Sequence, residues 1–183
     1  MIDRNTVLNL ATISTDINEY LMTIYNLVVQ GNYKTVVELG CGYSTVALLA
    51  GVNKIDGQLY CFDMGDGSLN RSSMIEQIRK EPRFHFTQGM VHDTIKSWNS
   101  PIDLLLHDLS HIYEATRDEI RDWFPFVRSG GMIFAHDTNN EAGDGMGCRQ
   151  AYNEFMASEE GRKYRIIHLL DTKIIGGSVL IKL

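Results

Sequence analysis

The chain has 183 residues, 44% of them hydrophobic and 22% charged, which fits one water-soluble globular domain and excludes a disordered or fibrous chain. Its 17 basic and 23 acidic side chains give a net charge of −6 with no basic tract, so no nucleic-acid partner is expected. No charged n-region opens a signal sequence, Leu21–Val29 is too short an apolar patch to span a bilayer, and Cys41, Cys61 and Cys148 form no CxxC pair, so the expected location is the reducing cytoplasm, with no membrane partner.

Residues 1–15 are weakly patterned. Ile17, Leu21, Ile24, Tyr25 and Val28 recur at helical spacing and predict a helix over 15–30, stopped by Gly31-Asn32. Residues 1–30 thus read as an N-terminal helical flap on a single domain spanning 1–183. Thr35–Leu39 predicts a buried strand, followed by the turn Gly40-Cys41-Gly42 and a helix that Ser44 can cap. A second strand, Gln58–Asp63, ends in an acid and a glycine-rich turn beginning at Met64. A helix over about 69–80 stops at Glu81-Pro82, and strand Phe84–Gln88 leads through Gly89 into a short helix over about 91–98.

The fourth strand is Ile102–Asp108, then a helix over about 111–124. Gly130-Gly131 leads into a fifth strand, Met132–Asp137, and a polar loop, Thr138–Gly147, whose Asn139 and Asn140 are candidate substrate-facing positions. A helix over about 148–158 and strands Tyr164–Leu169 and Ser178–Leu183 complete the chain. The 170–177 connection is too short for a crossover helix, so these last two strands should be antiparallel. The predicted architecture is α/β: a doubly wound, Rossmann-like sheet of about seven strands. It is mostly parallel, with one antiparallel strand near the edge and helices on both faces.

The first strand–turn–helix builds a crevice of the kind that binds ligands in open α/β sheets. Asp63, about 20 residues past Gly40, stands where a ribose diol is bound. The spacing fits a dinucleotide or another adenosine compound. A dinucleotide fingerprint wants a third glycine where this chain has Thr45. Glu38 in the crevice would also repel a pyrophosphate and attract an ammonium. The electrostatics favour S-adenosylmethionine over NAD.

Glu38-Leu39-Gly40-Cys41-Gly42-Tyr43-Ser44 resembles motif I of the class I S-adenosylmethionine-dependent methyltransferases, and Asp63 matches the acid of their second strand. The resemblance covers roughly residues 16–183. It implies that Glu38 and the Gly40-Cys41-Gly42 backbone hold the methionine moiety and that Asp63 binds the ribose. It further implies that the Gly89-Met90 turn lies on the adenine; otherwise Met90 is a core gap-filler. Ser44, Met64 and Asp108 complete the candidate donor-binding set.

The strand ends Leu106-His107-Asp108-Leu109-Ser110-His111 and Ala135-His136-Asp137 form a second candidate region. Neighbouring strands would bring Asp108, His136 and Asp137 together, and close carboxylates require a proton or cation between them. With an imidazole alongside, these three are the candidate ligands of a divalent metal, Mg²⁺, Mn²⁺ or Fe²⁺. The same stretches resemble the branch that holds small-molecule O-methyltransferases and cephalosporin hydroxylase-like proteins. Metal-dependent members of that branch carry an acid at the position of Asp108 and two acids at those of His136 and Asp137. Here His136 stands where an acid is usual, and Leu109-Ser110 replaces a segment that supplies a base in some relatives.

His111 is then the best base, since an ordinary imidazole titrates near neutrality. The candidate catalytic residues are His111 and Asp108. His107, one residue before Asp108 on a strand, should face the other way and serve structure, and His85, His92 and His168 show no partner in the sequence.

The expected activity is methyl transfer from S-adenosylmethionine to a hydroxyl of a small-molecule acceptor, with a metal or a base assisting. The alternatives are an NAD-linked oxidoreductase, an iron-dependent hydroxylase-like relative, or a non-catalytic donor-binding protein. A short chain with an open crevice could also be completed by a second copy as a homodimer.

Overall fold

The computed structural model describes residues 1–13, 16–65, 74–139, 147–169 and 176–183. Asn140, Thr15 and the start of the helix expected over 69–80 lie outside them. The chain divides into two compact units, Met1–Met90 and Val91–Leu183. Its seven strands follow the order β3-β2-β1-β4-β5-β7-β6, in the elements given below.

The first unit opens with α1 (Arg4–Leu10), in a segment whose pattern looked weak. Asp3 caps it, accepting the Thr6 N–H at 3.0 Å. Ile2 and Val7 are wholly buried, and α1 packs on α2 (Leu21–Gly31) and α3 (Tyr43–Ile55). Only two or three apolar positions anchor so short a helix, too few to register as a period. The helix expected over 15–30 begins instead as a 3₁₀ turn at Asn18–Tyr20 and continues as α2; its stop is as expected, with Asn32 in the left-handed region at φ 49°.

Strand β1 (Thr35–Leu39) is buried but for its first residue, with Glu38 the one charged side chain among its apolar ones, and α3 behind it buries an unbroken run from Ser44 to Val52. β2 (Gln58–Asp63) pairs parallel to β1 from Thr35↔Gln58 to Leu39↔Phe62. β3 (Phe84–Gln88) pairs parallel to β2, from Leu59↔Phe84 to Asp63↔Gln88. This register sets the C-terminal ends of β1 and β2 side by side. The described part of α4 is Ile75–Arg79.

The second unit contains α5 (Val91–Thr94), β4 (Ile102–His107), α6 (Tyr113–Trp123), β5 (Val127–His136), α7 (Cys148–Ala157), β6 (Tyr164–Leu169) and β7 (Gly177–Lys182). β5 starts at Val127, before the Met132 expected. Its register to β4 jumps from Ile102↔Val127 to Leu104↔Met132, and Gly130, at φ 74°, accommodates the extra residues as a bulge. β7 runs antiparallel to both β5 and β6, the one reversed strand that the short connection predicts.

Trp123 and Phe124 are wholly buried against this part of the sheet. Truncating such an aromatic to alanine costs about 3–5 kcal/mol. Buried polar groups join strand and helices here. His107 Nε2 bonds Glu119 Oε2 of α6 at 2.8 Å, and its Nδ1 bonds the Tyr152 hydroxyl of α7 at 2.6 Å. His107 is therefore structural, as its place on the strand implies. No helix among the described residues is long and apolar enough to cross a membrane.

Candidate functional site

Within residues 1–90, the ends of β1 and β2 are tied into one polar turn. Gly40 takes φ 89°, where a side chain is disfavoured, and so turns the chain out of β1. Glu38 is wholly buried: its Oε1 accepts from the Ser44 hydroxyl at 2.6 Å, and its Oε2 from the Thr45 hydroxyl at 2.7 Å and the Cys61 thiol at 2.8 Å. Burial beside Cys41 and Glu38 pushes the Cys61 thiol well above its ordinary value, so it remains a protonated donor. Thr45 Oγ1 also accepts the Gly42 N–H at 3.0 Å. The residue in the place of a third glycine is thus a working cap, a physical reason for its departure from the dinucleotide pattern.

Asp63 is fixed by backbone donors, its Oδ2 accepting the Cys41 N–H at 2.8 Å and its Oδ1 the Gly65 N–H at 3.1 Å. Gly89 N–H in turn bonds the Asp63 carbonyl at 2.8 Å. These bonds gather Glu38, Gly40, Cys41, Gly42, Ser44, Asp63 and Gly89 around two neighbouring strand ends. Met64 and Met90 are exposed, which removes the reading of Met90 as core filler. The turn offers what an adenosyl ligand needs: an oriented carboxylate for a diol, a glycine-bracketed backbone and exposed apolar side chains.

Within residues 91–183, β4 and β5 end in a cluster of ionisable side chains. His111 Nε2 lies 2.9 Å from Asp137 Oδ2 and 3.8 Å from Asp108 Oδ1. His136 Nδ1 lies 2.9 Å from Asp137 Oδ2 and 3.3 Å from Asp108 Oδ1. Asp137 holds φ 57°, a strained conformation for a non-glycine residue and of a kind that concentrates at functional sites. The His111 segment is held from two helices. Thr116 Oγ1 donates to the Ser110 carbonyl at 2.9 Å, and the Gly147 N–H to the His111 carbonyl at 2.7 Å. A Cβ on Gly147 would come within 2.5–3.0 Å of Tyr113.

The carboxylates of Asp108 and Asp137, accepting beside its Nε2, push His111 up to about 10. Burial works to lower His136, but the same two carboxylates outweigh it and bring it to about 10 as well. Burial likewise works against ionisation of Asp108 and Asp137, yet the bonds from His111 and His136 win and hold both below the usual carboxylate range. Without a cation, these contacts favour imidazoliums facing carboxylates in this cluster. The raised value makes His111 a weaker candidate base than the ordinary imidazole expected from sequence.

The residues also fit a divalent ion. Asp108, His111 and Asp137 each offer one ligand atom, all within 4.8 Å of one another. Two carboxylate oxygens and one imidazole nitrogen suit Mn²⁺ or Fe²⁺ and accept Mg²⁺. The sequence pointed to Asp108, His136 and Asp137 as this set. The geometry brings His111 into it, and His136 bonds the two carboxylates through Nδ1. The spacing of Asp108 and His111 was visible, but the approach of Asp137 to His111 depends on how β5 ends. The histidines without sequence partners have them: His85 meets Gln58, His92 meets Asp122 and His168 meets Ser178.

A family model described as a methyltransferase domain matches residues 37–138, more than half of the chain and all four strand ends just described. No curated protein matches. Among solved structures, the O-methyltransferase from Bacillus cereus in complex with SAH is 17% identical, with a TM-score of 0.68, covering 96% of this chain and 85% of that one. TomG from Streptomyces achromogenes, an O-methyltransferase of tomaymycin synthesis in complex with SAM, is 14% identical, with a TM-score of 0.67 over 93% of this chain and 80% of that one. The SAH-bound methyltransferase PaMTH1 from Podospora anserina is 16% identical, with a TM-score of 0.67 and the same two coverages, 93% and 80%. At these identities the likeness is one of fold.

Proposed function

The chain belongs to the methyltransferase-domain family, and on that premise we propose that it moves a methyl group from S-adenosylmethionine to a hydroxyl of a small-molecule acceptor, with a divalent cation assisting. We read residues 1–183 as one such domain. Its cytoplasmic setting is supported by Cys41, Cys61 and Cys148 being free thiols.

In this reading the β1–β2 turn receives the donor. Asp63, held by the Cys41 and Gly65 N–H groups, binds the ribose diol. Glu38, wholly buried and bonded through both oxygens, does not meet the ammonium as the sequence suggested; it keeps the Gly40–Gly42 backbone shaped for the methionine moiety, through the hydroxyls of Ser44 and Thr45. Met64, Gly89 and Met90 border the adenine. The donor supplies an electrophilic methyl when bound, and the rate then depends largely on holding an acceptor oxygen in line with it.

The β4–β5 cluster serves the acceptor. Asp108, His111 and Asp137 would hold the cation, which lowers the cost of presenting an oxyanion. His136 orients the two carboxylates through its Nδ1. The observation that carries this assignment is the convergence of Asp108, His111 and Asp137 at one point. The two carboxylates beside His111 favour its protonated form, which supports metal-assisted presentation over imidazole catalysis. The NAD-linked alternative is disfavoured by Thr45, whose hydroxyl caps the helix where a dinucleotide site needs a glycine.

The test is calorimetry with S-adenosylhomocysteine, followed by labelled-methyl transfer to a panel of hydroxylated acceptors with Mn²⁺, Mg²⁺ or chelator. One equivalent of nucleoside bound and turnover lost in chelator are expected. No nucleoside binding would remove the donor reading, and full turnover in chelator would remove the cation.

A further inference from the structure

We propose that Glu38, Cys41 and Cys61 form a separate binding site for a thiophilic divalent cation of the Zn²⁺ or Cd²⁺ class, at the base of the turn after β1. One oxygen and the two sulfurs lie within 4.8 Å of one another, and all three residues are buried. Three atoms at the corners of such a triangle lie at most about 2.8 Å from its centre. Thiolate and carboxylate ligands of zinc sit at about 2.0–2.3 Å, so side-chain shifts of well under an ångström close the site.

Charge favours the same ion. Bound to a proton each, the two thiols leave one buried negative charge, that of Glu38. Exchanging two protons for one divalent cation leaves that charge unchanged, so no further buried charge has to be desolvated. The Cys61 thiol already directs its proton at Glu38 Oε2, 2.8 Å away, and the cation would replace it there. A donor set of two sulfurs and one oxygen selects soft or borderline ions, whereas hard Mg²⁺ and Ca²⁺ do not displace thiol protons. The Asp108–His111–Asp137 cluster offers no sulfur, so an ion held there gives no thiolate charge-transfer band.

The site has a consequence that rests on the donor reading above. The Cys41 N–H holds Asp63 at 2.8 Å, and the Thr45 hydroxyl holds Glu38 Oε2 at 2.7 Å. A cation that draws Cys41 and Oε2 inward disturbs both, so it should weaken donor binding.

The experiment is a titration of the full chain with Cd²⁺ in a phosphine reductant, followed by ultraviolet thiolate-to-metal charge-transfer absorption. Cys61→Ser keeps a donor to Glu38 and preserves the fold. The expected result is a band saturating at one equivalent, lost in Cys61→Ser and in Cys41→Ser and retained in Cys148→Ser. A band that is absent, survives in Cys61→Ser or depends on Cys148 overturns the site. One equivalent of Cd²⁺ should also weaken S-adenosylhomocysteine about tenfold in the native chain and leave Cys61→Ser unaffected. If the band forms but the native chain binds no nucleoside, the cation site stands and the donor reading falls.

Discussion

Glu38 and Asp63, at the ends of β1 and β2, are met by neutral donors: two hydroxyls and a thiol on one, backbone N–H groups on the other. Asp108 and Asp137, at the ends of β4 and β5, are met by imidazoles held in the charged form. Both regions close an apolar strand with an acid, yet they solve the cost of its burial differently. Neutral donors fix a shape without any counter-charge. Paired ions form a cluster whose charges can be rearranged by a proton, a metal or a substrate. The first arrangement suits a ligand bound the same way in every turnover, the second a step in which charge moves.

The largest effect expected from this contrast is at Asp137. Asp137→Ala should lower turnover by about 10²–10³-fold while S-adenosylhomocysteine affinity stays within about twofold, as removing a charge-moving group would do. Parallel losses in turnover and affinity would break the division of labour. Next comes Asp63→Ala, for which calorimetry should show donor affinity weakened about 30–150-fold, the equivalent of two to three kcal/mol for a charged hydrogen-bonding partner.

A smaller effect concerns pH. In chelator, His111 and His136 titrate near 10 when folded but near 6.5 when unfolded, so the native chain binds more protons between those values. Their stabilisation is complete below about 6.5 and is lost as pH rises through 10. The lowered carboxylates contribute above about 4 and lose that contribution as pH falls through their folded values. Thermal unfolding midpoints should therefore fall from pH 6.5 to 10, and His136→Asn should flatten the slope; an unchanged slope would mean that the cluster is not charged as described. The smallest effect is Ser44→Ala, which removes a hydroxyl donor to Glu38 and should cost about 1–2 kcal/mol in denaturant titrations, without altering the pH slope.

Much of this was readable in the chain itself. Val36-Val37 and Leu104-Leu105-Leu106 announce buried strands by composition, and the acid that ends each prediction, Asp63 or Asp108, falls at or just past the observed strand end. The reversed β7 followed from a connection too short for a helix. Other features have no local signature. α1 is held by a cap and by contacts with helices distant in sequence, and β5 begins early because its bulge permits pairing that the glycine pair seemed to forbid. At the site, sequence spacing placed Asp108, His136 and Asp137 together. The closeness of His111 to Asp137 depends on a left-handed residue at the end of β5 and on bonds from Thr116 and Gly147. Its protonation depends on both carboxylates together, which no residue pattern encodes.

The bond from Gly147 to the His111 carbonyl, with Tyr113 filling the space where a side chain would stand, bears on how such a chain diverges. A side chain at position 147 would have to displace Tyr113 or the His111 segment that the bond holds. In a randomised library selected for the folded chain, position 147 should tolerate no side chain. Divergence at this position is thereby tied to the geometry of the Asp108–His111–Asp137 cluster.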